Sequence, residues 1–462
     1  MVFSILSPII AVFFLLFSQD AFSLSPELSR LENSFQALIK SGTKVAAMIS
    51  NLETGEKLLE FHSETPLNPA STIKLFAAYA ALKRLGPAFT FKTEVWSKPD
   101  QGICVRGGGD PSFVMEDLYL LIQHLKRKGI DRYSGEITLD STAFDEEFYP
   151  GDRTDQDSER AYNAPISALN FNYNTISVFV SPREKGEAAV IGLDFPFDFV
   201  KVKGKVMTGN GTEISWDKVG KEDLEIISLG GKIAVGADEW RKPFRIRNPA
   251  MAFGEAMSKL LTQAGIQAKS KIIIRTGVCN HSLEPALAYE SKPLSYVVEL
   301  MDKYSNNFIA DSLIKTLDHE LNQKQGTTSG GIKIVREEMK KFGIDLTANG
   351  RNFVSGSGLT RDNRVSANDF IKLLSHVNQE KLFLPELLSS LPIASLDGTL
   401  KRKYVSSPVA LRLRAKTGSL NDVQSLVGVY PNQKGKWLGI AIIVNGPRSI
   451  PEKELGNYLF TQ

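Results

Sequence analysis

Histidine and cysteine are scarce in this chain, with five of the first and two of the second in 462 residues. The histidines (His62, His124, His281, His319 and His376) form neither an HExxH nor an HxH pattern, which argues against metal catalysis, so no metal or cofactor is expected. Cys104 and Cys279 stand 175 residues apart with no CxxC spacing, so a disulfide framework is excluded. Two buried free thiols are the expectation, with pairing after export left open. Long hydrophobic runs are missing too. The one apolar run covers nine residues, 9–17, far short of the ~18 needed to span a bilayer, so a polytopic membrane fold is excluded. Charge of one sign is also missing: 55 Lys+Arg against 52 Asp+Glu leave a net +3, too little for a nucleic-acid footprint. With 42% apolar and 23% charged residues the composition is that of a globular chain, neither disordered nor collagen-like.

The apolar run is followed by Gln19, Asp20 and the small-residue pattern Ala21-Phe22-Ser23, so residues 1–23 read as a signal peptide and Leu24 as the mature N-terminus. The absence of Lys or Arg before Arg30 departs from the usual signal pattern. Export to the periplasm or another extracytoplasmic space is expected.

At ~100–200 residues per domain, the length calls for two to four domains. Residues 44–51 and 56–61 read as strands around the turn Leu52-Glu53-Thr54-Gly55. Asn68-Pro69-Ala70-Ser71 then opens an apolar helix that Gly86 ends. Near the other terminus, residues 410–417, 423–430 and 437–445 read as three further strands. An antiparallel sheet assembled from both chain ends follows, with the middle as an insertion. Within that insertion Asp110-Pro111 and Asn248-Pro249 each carry helix-start chemistry, and each helix leads to a strand, 135–140 and 271–275. The stretch between is β-rich. The expected division is α+β: residues 24–86 and 285–462 as the end-built domain, 87–194 and 248–284 as an α/β domain, and 195–247 as a small β-rich domain.

Gly107-Gly108-Gly109-Asp110 lacks both GK[ST] and GxGxxG spacing and reads as a strand-to-helix turn. Lys201, Lys203 and Lys205 alternate along one strand and read as a solvated face. Ser71-Thr72-Ile73-Lys74 carries more. On a helix, i and i+3 share a face, so the Lys74 amine can reach the Ser71 hydroxyl and activate it as a nucleophile. Three other S-x-x-K matches exist (Ser41/Lys44, Ser215/Lys218 and Ser312/Lys315), but only Ser71 has a Pro-marked helix start. Ser305-Asn306-Asn307 and Lys416-Thr417-Gly418-Ser419 complete an ordered set of S-x-x-K, S-x-N and K-T-G, the set found in penicillin-recognising enzymes. Ser366-Ala367-Asn368 and Arg275-Thr276-Gly277 are decoys for the second and third motifs.

Through these motifs and the stretches PASTIKLF, VRGGGDPSF, APISALNFNYN, KYSNNFIADSLIKTL, SGSGLTRDNR, LPIASLDGTL and RAKTGSLNDVQSLVGVY, the chain resembles class C low-molecular-mass penicillin-binding proteins, the D-alanyl-D-alanine carboxypeptidase/endopeptidase group. The 234 residues between Ser71 and Ser305 fit that group, which carries large extra domains there, better than class A β-lactamases, where the gap is shorter. Ser419 stands where the group usually has Thr, and Ser395-Leu396-Asp397-Gly398-Thr399 replaces a glycine-rich version. The resemblance implies a penicillin-recognising, transpeptidase-like fold: an antiparallel sheet with helices on both faces, interrupted by the inserted domains.

It also implies catalytic roles for Ser71 (nucleophile), Lys74 (proton acceptor) and Ser305 (proton relay). Asn307, Lys416, Thr417 and Ser419 would bind substrate, with the backbone N–H groups of Ser71 and Ser419 as the oxyanion hole. Arg361 stands between a contact to the stem peptide and a structural role. The implied substrates are peptidoglycan peptides, with β-lactams as covalent inhibitors and no nucleic acid partner; peripheral membrane or cell-wall association stays open. A β-lactamase and a non-catalytic cell-wall binding or sensor protein are the alternatives.

Overall fold

The computed structural model describes residues 25–98, 100–150, 158–221 and 224–462. The expected signal peptide and its cleavage site lie outside the described residues. Among the described residues, no helix is long and apolar enough to cross a membrane.

The two chain ends build one five-stranded sheet. Its strands are β1 (Lys44–Asn51), β2 (Lys57–Phe61), β3 (Arg414–Leu420), β4 (Val423–Pro431) and β5 (Trp437–Asn445), in the spatial order β3-β4-β5-β1-β2. All neighbours are antiparallel. β1 is buried on both faces, which is why its sequence reads as a continuous apolar run rather than an alternation. Successive residues feed two different cores. Val45, Ala47 and Ile49 pack with Leu31 and Phe35 of α1 (Pro26–Lys40) and with Leu455 and Leu459 of the C-terminal helix Glu452–Phe460. Ala46 and Met48 face the other way, onto α2 (Lys74–Leu85), α3 (Leu294–Lys303), α4 (Asn307–Asn322) and further helices that include α5 (Ala367–Glu380). The chain thus carries the expected penicillin-recognising architecture, a sheet with helices on both faces.

The strand expected over 410–417 begins later, at Arg414, because residues 410–413 are tied in turns: Val409 O accepts from the N–H of both Arg412 and Leu413. The helix behind Ser71 begins with a 3-10 turn, Ala70–Ile73, before α2 takes over at Lys74.

The insertion holds a second five-stranded sheet, in which strand Glu136–Asp140 runs parallel to both Ile103–Gly107 and Ile273–Thr276. Helices Met115–Arg127 and Pro249–Gln263 cover it. Asn248 and Pro249 start the second helix as expected, with the Asn248 carboxamide oxygen accepting from Met251 N at 3.2 Å. The first helix starts at Met115 rather than Pro111, because the Asp110 carboxylate folds back onto the Ser112 N–H and hydroxyl. Lys201, Lys203 and Lys205 are exposed.

Two boundaries differ from the sequence reading. Strand Leu287–Glu290 pairs with Lys92–Trp96 at the edge of the inserted sheet, so the chain returns at Leu294 and not at residue 285. The β-rich part draws on strands Thr175–Ser181 and Val190–Leu193, and among the described residues its buried side chains merge with those of the inserted sheet into one cluster.

The cysteines also need correcting. Cys104 and Cys279 are joined in a disulfide, with Cα atoms 5.7 Å apart, rather than standing as free thiols. Cys104 lies on strand Ile103–Gly107, and the segment after Ile273–Thr276 turns back so that Cys279 N donates to the Asp140 carboxylate at 2.9 Å. Only the pairing of both strands with Glu136–Asp140 brings the two cysteines together.

Candidate active site

Ser71 sits on the 3-10 turn that feeds α2, and that turn is moored to the sheet. Asn68 N donates to the Asn445 carboxamide oxygen, and Asn445 Nδ2 donates back to Asn68 O, both at 2.9 Å. Pro69 O accepts from the hydroxyls of Thr72 (2.8 Å) and Ser425 (2.5 Å). Ala70, at φ 46°, is held in the left-handed region, a strain of order 1–3 kcal/mol that such mooring sustains. Gly418 of β3 packs so closely on this turn that a Cβ there would lie 2.3 Å from Ser425 Oγ and 2.9 Å from Ser71 N. The glycine of the K-T-G motif is therefore what lets the strand run beside the serine.

The Lys74 side chain is fully buried. Its Nζ donates to Ser71 Oγ at 2.9 Å, to Asn307 Oδ1 at 2.7 Å and to Ser357 O at 2.5 Å. Asn307 is the first residue of α4; its Nδ2 donates to Tyr162 O at 3.2 Å. Asn306 has a different task, capping α4 by accepting from Ile309 N. Ser305, at φ 54°, occupies the strained joint between α3 and α4, and its Oγ accepts from Lys416 Nζ at 2.8 Å. Lys416 is fully buried and also donates to Thr417 O at 2.7 Å. The Thr417 hydroxyl donates to Thr399 Oγ1 at 2.7 Å, while Ser419 is exposed.

A cavity of about 400 Å³ opens between these segments, with Ser71, Tyr162, Ser305, Asn307, Arg361 and Ser419 in its lining. Arg361 forms an ion pair with Asp422 at this rim. Burial pushes the Lys416 ammonium down to about 8, against the opposing pull of the Asp302 carboxylate. Burial likewise pushes the Asp302 carboxyl up to about 6, opposed by the Lys416 charge, a hydrogen bond from Ser390 and the Lys74 charge.

All seven sequence-predicted site residues lie in this neighbourhood, and the decoys do not. Lys218 is bound to Glu159 and Glu225, Lys315 to Asp145, and Ser366 caps α5. Sequence reasoning missed Ser357 and Tyr162, which act through backbone carbonyls and so leave no side-chain signal. It missed Asp302 because a carboxylate in the last turn of α3 looks like any surface acid. Ser357 and Thr399 lay inside stretches already singled out, without a role.

Comparison with known proteins bears on the family and the fold. The family model described as "D-Ala-D-Ala carboxypeptidase 3 (S13) family" matches residues 30–457. The D-alanyl-D-alanine carboxypeptidase DacB of Haemophilus influenzae is 27% identical over 423 residues, covering 88% of this chain and 86% of that protein. The D-alanyl-D-alanine carboxypeptidase of Actinomadura sp. (strain R39) is 27% identical over 443 residues, covering 91% and 81%. The crystal structure of penicillin binding protein 4 (dacB) from Haemophilus influenzae superposes with a TM-score of 0.77 at 24% identity, covering 92% of this chain and 99% of that one. With the family model spanning nearly the whole described chain, this chain belongs to the D-Ala-D-Ala carboxypeptidase 3 (S13) family.

Proposed function

We propose that this chain is a serine D-Ala-D-Ala carboxypeptidase that cleaves peptidoglycan stem peptides through an acyl-enzyme on Ser71, and that β-lactams acylate the same hydroxyl. The observation that carries this reading is the contact of Lys74 Nζ with Ser71 Oγ at the wall of the cavity, facing Ser305 and Ser419. A neutral Lys74 amine has two N–H groups, enough for Asn307 Oδ1 and Ser357 O, and its lone pair is left for the Ser71 proton.

Ser71 Oγ attacks the carbonyl carbon of the penultimate D-Ala as Lys74 takes the hydroxyl proton. The amide C–N bond breaks, and Ser305, held by Lys416, relays the proton taken up by Lys74 to the leaving amine. The N–H groups of Ser71 and Ser419 stabilise the oxyanion, at ~3–4 kcal/mol per donor in comparable sites. Water then hydrolyses the ester. A terminal D-Ala and a D-Ala-linked cross-bridge both present a carboxylate beside the scissile amide, and Lys416, Thr417 and Ser419 on one strand end are donors suited to it.

The disulfide supports a site of action outside the cytoplasm, since such bonds persist in oxidising compartments. Incubation with purified muropeptides, with products resolved by mass, tests the activity. Release of D-Ala is the expected result, and splitting of cross-linked dimers would add endopeptidase action. Peptide mapping after penicillin labelling should place the adduct on Ser71. Rapid turnover of a chromogenic cephalosporin without peptide hydrolysis would instead mark a β-lactamase.

A further inference from the structure

The segment Ser355-Gly356-Ser357-Gly358 is wedged between α4 and the turn that carries Ser71. A Cβ on Gly356 would lie 2.9 Å from Ala310 O and 2.6 Å from the Ile314 side chain, both of α4. A Cβ on Gly358, at φ 82°, would lie 2.2 Å from Ala70 O. The backbone of Ser357 therefore reaches both walls. On the α4 side its N–H donates to Asp311 Oδ1 at 3.0 Å. On the other side its carbonyl oxygen accepts from Lys74 Nζ at 2.5 Å and from the Ser71 hydroxyl at 3.4 Å. The Ser357 hydroxyl takes no part in this bridge; it lies 3.5 Å from Ser355 Oγ and accepts from Leu359 N at 3.4 Å.

Asp311 stands one turn after Asn307 on α4 and is 1% exposed. A buried carboxylate is costly unless hydrogen bonds satisfy it, and a bond from N–H to a carboxylate is among the stronger ones. α4 thus sets two acceptors of Lys74 Nζ, Asn307 Oδ1 directly and Ser357 O through Asp311. We propose that Asp311 is a positioning residue: by accepting the Ser357 N–H, it fixes the carbonyl that orients the Lys74 amine on the Ser71 hydroxyl. The kinetic consequence rests on the acyl-enzyme reading; the bond between Asp311 and Ser357 does not.

The test compares two variants. Asp311→Asn keeps an acceptor oxygen for Ser357 N and gives up the charge, whereas Asp311→Ala gives up both. Acylation by a penicillin should be about 30–100-fold slower in Asp311→Ala, the scale of a catalytic group displaced by about 1 Å. In Asp311→Asn it should stay within about three-fold of the wild type. The loss should fall on the limiting acylation rate and leave the half-saturating penicillin concentration within about two-fold, because Asp311 does not line the cavity. A merely structural carboxylate would lower the melting temperature of Asp311→Ala and leave the rate per folded molecule unchanged. Without any substrate, the Ser357 amide signal, assigned through Ser357→Ala, should be protected from hydrogen exchange and should move in Asp311→Asn as the carboxylate becomes a carboxamide. If the wild type neither hydrolyses a D-Ala-D-Ala peptide nor takes a penicillin label, the functional reading fails while the amide still decides the bond. If Asp311→Ala does not fold, the amide should still be protected and Asp311→Asn should still acylate within about three-fold; failure of either overturns the proposal. Equal rates per folded molecule for Asp311→Ala and the wild type, or equal losses in both variants, overturn it too.

Discussion

Ser71/Lys74 and Ser312/Lys315 obey the same four-residue spacing, on helices that pack against each other, and both lysines are fully buried. They have opposite fates. Ser71 stands at the start of its helix, touches Lys74 and lines the cavity. Ser312 sits mid-helix, 0% exposed, with no partner for its hydroxyl among the described residues, and Lys315 reaches away from it to the Asp145 carboxylate and Glu147 O of the insertion. The first pair is a reactive site and the second a strut between lobes. Spacing puts two side chains on one face of a helix, but access and the identity of the lysine's partner decide whether chemistry follows.

The sharpest test of that contrast exchanges serine for alanine at each site. Ser71→Ala should abolish the penicillin adduct and lower peptide hydrolysis by more than ~10³-fold, because no covalent route remains. Ser312→Ala should keep activity within about two-fold and melt within a few degrees of the wild type, since its hydroxyl forms no hydrogen bond among the described residues. Mass-resolved labelling and thermal melts read both. An adduct on Ser312 would dissolve the distinction.

The lysines separate differently. Lys74→Ala should keep the fold and cut acylation by ~10²–10⁴-fold, the range of a lost general base. Lys315→Ala should retain acylation once folded but lose ~3 kcal/mol of stability by stranding Asp145. Stopped-flow acylation and denaturant midpoints distinguish these. Equal kinetic losses at both positions would break the comparison.

Smaller effects concern the carboxylate end of the site. Amidating the substrate's C-terminal carboxylate should lower kcat/KM by ~10–100-fold, as the donors on β3 lose a charged acceptor. Thr417→Val should reproduce part of that loss, ~5–10-fold on the free acid, and add little on the amide. Equal turnover of free and amidated peptides would remove β3 as the carboxylate site. The pH profile is the mildest readout. Burial lowers Lys416 to about 8, so the ammonium is charged below that pH and lost above it; kcat/KM should therefore fall on the alkaline side, with a midpoint near pH 8. A profile flat to pH 10 would mean that Lys416 stays charged or that its charge is not used.

Much of this molecule was legible from local chemistry. Asn248 and Pro249 announce a helix because a capping acceptor and a fixed φ act within one turn. β1 and β5 were readable to the residue because strands buried on both faces give unbroken apolar runs. The ordered motifs around Ser71, Ser305 and Lys416 were readable because each carries its own local geometry: a helix start, a joint between helices, a strand.

Long-range arrangement was not legible in this way. Whether Cys104 meets Cys279 depends on two strands pairing with a third, which no spacing encodes. That strand Leu287–Glu290 belongs to the insertion is decided by its partner Lys92–Trp96, not by its own residues. The sequence by itself determined which side chains are capable of the chemistry. Only the tertiary structure decided which serine faces a cavity and which lysine finds a carboxylate, because burial and charge compensation are properties of segments brought together from across the chain.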